Sequence, residues 1–102
     1  MSDSVYDEYY HQSLELQHHV EDIIDDHGHP QAHTLMNEMQ QLTAAFKEQK
    51  NPRHMEDQIK TLEHGLLQVR EQGEKVMSYQ DIDNLQHRFR RLREQVRSMP
   101  HY

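Results

Sequence analysis

The sequence predicts an all-α protein, an antiparallel up-and-down four-helix bundle with short loops. Three observations lead there. Apolar residues recur at spacings of three and four in four successive stretches, the period of one buried helix face. No stretch alternates apolar and polar residues as a half-buried strand does. Only three Gly and three Pro punctuate the chain, and two of the prolines stand where helices begin. The expected helices cover 4–27, 30–50, 52–77 and 79–99, within a single domain over 1–102.

The first helix opens near Ser4, whose hydroxyl is placed to cap the first turn, with Asp7 three residues on. Tyr6, Tyr9, Ser13, Leu16, Val20, Ile23 and His27 form its stripe. Gly28 suits the left-handed position after a helix end, and Pro30 pre-sets the first turn of the next helix. That second helix carries Ala32, Leu35, Met39, Leu42, Phe46 and Gln49, and Lys47 and Lys50 complement its dipole at the C-terminal end. Asn51 and Pro52 read as N-cap and first residue of the third helix. Its seam runs Met55, Ile59, Leu62, Leu66, Val69, Gly73 and Val76.

Nothing between Glu74 and Met99 forbids one continuous helix, so the break has to be argued from local signals. Ser78 is a natural N-cap, Asp81 falls at the third helical position, and Met77 and Ile82 are spaced as a hydrophobic staple. A tight reversal follows. The fourth helix then carries Ile82, Leu85, Phe89, Leu92, Val96 and Met99, and Pro100 ends it. Short connections make sequential helices antiparallel neighbours. Because each seam is narrow, the alternative is a pair of helical hairpins completing the bundle as a homodimer.

Composition narrows function by exclusion. With no cysteine, disulfides, thiolate metal sites and cysteine nucleophiles are absent. The start of the sequence lacks a basic region followed by an apolar one, and no run approaches a membrane span, so a cytoplasmic protein is expected. A net charge of −7 disfavours a generally nucleic-acid-binding or anionic-membrane-binding surface. Protonating all ten histidines would add ten positive charges and reverse that sign, which makes pH-sensitive association conceivable below neutrality.

Charge is also segregated along the chain. Through His27 the chain carries Asp3, Asp7, Glu8, Glu15, Glu21, Asp22, Asp25 and Asp26 and neither Lys nor Arg, whereas Arg88, Arg90, Arg91, Arg93 and Arg97 crowd the last helix. In an up-and-down bundle the first and last helices are neighbours, so mutual pairing that sets the topology is the expectation. The competing use of those arginines is recognition of phosphate or of an acidic partner, for which the planar guanidinium is well suited. They cannot all share one helix face.

His27, His29 and His33, beside Asp25 and Asp26, are the densest histidine group and candidate metal ligands at a helix–helix corner, though their spacing matches no established site. Glu8 with His11 and Glu15 with His18 have the spacing used in di-iron bundles, but both pairs lie on one helix and flank its seam. Tyr6, Tyr9 and Tyr10 either close one end of the core or present a hot spot to a partner. No nucleophile with its base and no phosphate-binding loop is present.

The expected function is therefore a non-catalytic helical-bundle protein–protein interaction module: an adaptor, a chaperone-like protein or a regulatory subunit, needing no cofactor. Its expected contacts are Tyr6, Tyr9, Tyr10 and the five arginines. A nucleic-acid-associated regulator using the last helix is the alternative, and metal binding at the His27–His33 corner is third.

Overall fold

The computed structural model of the chain describes residues 4–25 and 28–99, apart from the Ser4 side chain. The capping expected of the Ser4 hydroxyl, the ligand role of His27 and the helix stop at Pro100 thus lie outside the described residues. Among the described residues there are four helices: α1 (Ser4–Ile23), α2 (Pro30–Lys47), α3 (Pro52–Glu71) and α4 (Tyr79–Arg97). They stack side by side into a bundle of 43 × 19 × 18 Å, each packed closely on the next in sequence.

The seams read from the sequence meet in the core. Leu35, Met39, Leu42 and Phe46 of α2, Met55, Ile59, Leu62, Leu66 and Val69 of α3, and Ile82, Leu85, Phe89, Leu92 and Val96 of α4 are buried together. Helix α1 contributes least. Only Leu16 and Val20 among its apolar side chains are fully buried, while Tyr6, Tyr9, Tyr10 and Ile23 are half-buried against the same core. Ser13, on the α1 stripe, is fully buried and hydrogen-bonded to Thr43 of α2 at 2.9 Å.

Helix ends are set by identifiable bonds, and all four helices stop short of their expected C-termini. α1 ends at Ile23, not at position 27, because the Asp25 amide donates to the Val76 carbonyl at 2.7 Å instead of continuing the helix. α2 ends at Lys47, not at position 50. The Gln49 and Lys50 amides turn back onto the Phe46 and Ala45 carbonyls at 3.1 and 3.0 Å, the paired closure that requires a left-handed residue. Gln49 supplies it at φ 56°.

α3 ends at Glu71, six residues before the expected 77. Gly73 is the terminator at φ 73°, its amide bonded to the Arg70 carbonyl at 3.0 Å. A residue that fits the seam as a small helical side chain therefore serves through its backbone freedom. Val76 and Met77 still bury, but from the turn. α4 starts where expected: Ser78 Oγ accepts from the Asp81 amide at 3.1 Å, and Met77 and Ile82 are both buried across the cap. It ends at Arg97, two residues early, with Met99 folded back onto the core. Asn51 caps α3 as expected, accepting from the Arg53 amide at 2.8 Å.

Gln49 holds a side chain where a Cβ is disfavoured. Gln49→Gly is therefore expected to stabilise the chain by about 1 kcal/mol, less the extra entropy glycine gives the unfolded state. Urea unfolding of both proteins measures it.

Candidate functional site

The bundle has four sides, and three of them are drawn shut by specific devices. Across α1 and α2, Ser13 bonds to Thr43, and the Tyr9 and Phe46 rings stand 6.0 Å apart. Across α2 and α3, Gly65 admits close approach: a Cβ there would stand 3.3 Å from Glu38 Oε1 and 3.4 Å from Leu35 Cδ1. Across α3 and α4, Arg93 Nε donates to Glu63 at 3.0 Å, Arg97 donates twice to Glu56 Oε2 at 2.9 and 2.7 Å, and Arg70 meets Asp83 at 2.7 Å.

The fourth side, between α1 and α4, has no such link among the described residues, and these two helices approach less closely than consecutive ones. A cleft of ≈ 420 Å³ lies between them. One wall is Glu8, Gln12 and Glu15, at spacings that place them on one stripe of α1. The other is Arg88, Arg91 and Gln95, likewise one stripe of α4. Leu16 and Leu92, both buried, line the cleft between these walls. All four charged side chains belong to exposed residues.

The expected pairing of the acidic first helix with the basic last one is thus corrected. The ion pairs that α4 makes among the described residues run to α3, through Arg93, Arg97 and Asp83. Glu63 and Glu56, the carboxylates that Arg93 and Arg97 meet, sit on the facing wall of a tight hairpin, whereas Glu8 and Glu15 stand across an open cleft. The hydrogen bonds from Arg97 hold the Glu56 carboxyl below its ordinary range.

This division also breaks up the arginine run. Arg88 and Arg91 face the α1 side, and Arg93 and Arg97 are engaged by α3. Arg90 lines a second cleft of ≈ 430 Å³ with Glu63, Leu67, Asp83 and His87. Leu67 is 49% exposed there, the most exposed large apolar side chain of the described residues. The arginines form no single cationic face.

Tyr6, Tyr9 and Tyr10 gather at one end of the bundle. Tyr6 Oη donates to the Lys50 carbonyl at 3.2 Å, tying the start of α1 to the α2–α3 connection. Burial, and secondarily Glu8, raise the Tyr9 hydroxyl above its usual pKa. Tyr10 lies against His11 with ring centroids 5.4 Å apart. All three turn part of their surface to the core.

His29 stands at the N-cap of α2 without a side-chain capping bond, and His33 lines a third cleft with Glu21 and Met36. Among the described residues neither joins a group of three or more side chains able to hold a metal ion. No helix of the described residues is long and apolar enough to cross a membrane.

Sequence patterning missed the environment of Glu38. Its Oε1 is buried and finds no donor among the described residues, and burial raises its pKa, an effect that His64 opposes. A carboxyl raised in the folded state contributes stability that is complete below its unfolded pKa and is lost as pH rises through the folded value. Glu38→Gln is therefore expected to stabilise the chain at neutral pH and to leave it little changed where the carboxyl is already protonated. Urea midpoints at about pH 4 and about pH 7 test the sign.

Comparison with protein-family models, with curated proteins and with solved structures finds no match. Function is therefore argued from the chemistry of the surface alone.

Proposed function

We propose that the chain is a non-catalytic protein–protein interaction module that binds through the α1–α4 side of the bundle. The observation that carries this reading is the pair of oppositely charged walls, Glu8 and Glu15 against Arg88 and Arg91, with no ion pair among the described residues, on either side of a buried apolar seam. Exposed charges of opposite sign in a fixed arrangement speed encounter with a complementary surface and reject a like-charged one. Such a surface suits an adaptor, a chaperone-like protein or a regulatory subunit.

The nucleic-acid alternative has less support. A phosphate backbone calls for one cationic face, whereas Arg93 and Arg97 are occupied by carboxylates and Arg90 shares its cleft with Glu63 and Asp83.

A photo-crosslinking amino acid at Gln12 or Gln95, on the two walls, tests the reading in cells that make the protein. Discrete adducts with a polypeptide are expected from both positions. Adducts with RNA or DNA in their place would shift the assignment to the alternative, and no macromolecular adduct at either position would overturn the reading.

A further inference from the structure

The α1–α4 side carries a self-complementary pattern. Within the described residues α1 has Asp7, Glu8, Glu15, Glu21 and Asp22 and neither Lys nor Arg. α4 turns Arg88 and Arg91 to the same side of the molecule, and neither makes an ion pair among the described residues. We propose that this side binds the same side of a second copy of the chain, about a two-fold axis parallel to the bundle. The proposal rests on the interaction-module reading and names its partner.

Symmetry and charge select that axis. In an isologous pair each patch meets itself, so residue i touches j and j touches i. A two-fold parallel to the helices lays α1 of each copy over α4 of the other, acid on base, twice. A two-fold lying in the same interface but perpendicular to the helices would lay α1 on α1 and α4 on α4, like charge on like, which is repulsive.

Height along the bundle is kept by the favoured rotation. Because α1 and α4 are antiparallel, Glu15 lies nearest the level of Arg88, and Glu8 lies nearer Arg91 and Gln95. The same levels then face each other between copies. Glu15 of one copy meets Arg88 of the partner subunit without any change in the fold. The contact is polar, so the dimer is salt-sensitive, losing at least about tenfold in affinity as screening shortens from low to high ionic strength.

Two variants give a decisive test by sedimentation equilibrium. One carries Arg88→Glu and Arg91→Glu, so both walls are acidic; the other carries Glu8→Arg and Glu15→Arg, so both are basic. The wild-type chain is expected to dimerise at low salt, each variant alone to be monomeric, and an equimolar mixture to form a one-to-one heterodimer. All four positions are exposed, and circular dichroism checks that the fold survives; the single changes Glu15→Arg and Arg88→Glu repeat the test if a double variant misfolds.

A wild-type chain that stays monomeric, variants that self-associate as wild type does, or a mixture that fails to pair would each overturn the self-pairing. The crosslinks from Gln12 and Gln95 separate this failure from failure of the broader reading. Adducts with a different polypeptide sink the second copy and leave the interaction module standing, whereas their absence sinks both.

Discussion

Replacing Phe89 with alanine is expected to destabilise the chain by about 3–5 kcal/mol, the usual cost of removing a buried aromatic ring and leaving a cavity. Phe89 is completely buried on α4, and the surrounding seam includes Leu62, Leu66 and Leu92, none of which has exposed surface to spare. For a domain of this size the loss lowers the Tm by about 15 °C or more. It also consumes a large share of the about 5–15 kcal/mol by which small domains are stable. Leu67→Ala is the matched control. Leu67 is half exposed on α3, so its truncation is expected to stay within about 0.5 kcal/mol of wild type. Thermal and urea unfolding of both variants would show whether seam and surface are correctly separated.

Thr43→Val is expected to cost about 1–3 kcal/mol although it changes side-chain shape very little. Thr43 Oγ1 donates its one proton to the Met39 carbonyl at 3.2 Å and lies 2.9 Å from Ser13 Oγ. The proton between the two hydroxyls therefore comes from Ser13. Valine removes the acceptor and strands a buried hydroxyl, because Ser13 has no exposed surface. Adding Ser13→Ala removes the stranded group, so the double variant is expected to recover much of the loss. A double-mutant cycle measures that coupling directly. The hydroxyl pair also fixes the register of α1 on α2, since a slip of either helix would separate two buried polar groups.

The pattern of apolar residues made the bundle and its core readable, because burial of one stripe per helix leaves a period of three and four in the sequence. The start of α4 was equally legible: Ser78, Asp81, Met77 and Ile82 act locally, within one turn. Gly73 shows what periodicity hides. It falls on the seam and reads as a small helical residue, yet its positive φ ends α3; the stop lies in the otherwise polar run Glu71, Gln72, Gly73 and Glu74. Gly65 is similar, since nothing in the sequence says that Glu38 will lie across it.

Charge partners were less readable still. Sequence spacing places the arginines on α4 and the carboxylates on α1, but which carboxylate an arginine reaches depends on the width of each groove. Arg93 and Arg97 took Glu63 and Glu56 on α3 because that hairpin is tight. The open α1–α4 cleft, where the candidate site lies, exists only once all four helices are placed. The charge segregation of its two walls is legible in the sequence, and their arrangement is not.

In this fold α1 and α4 belong to one bundle closed within one chain. The absence of cysteine allows spin labels to be attached through His11→Cys on α1 and Glu94→Cys on α4, both exposed positions. Pulsed dipolar spectroscopy of the doubly labelled chain, with and without a large excess of unlabelled chain, is the direct measurement. One narrow distance distribution that persists on dilution is expected of a bundle closed within the chain. Loss of every short α1–α4 distance on dilution would contradict it, because α1 would then meet α4 only between two chains, as in a bundle assembled from hairpins; a second distance that is lost while the first persists belongs to the paired copy.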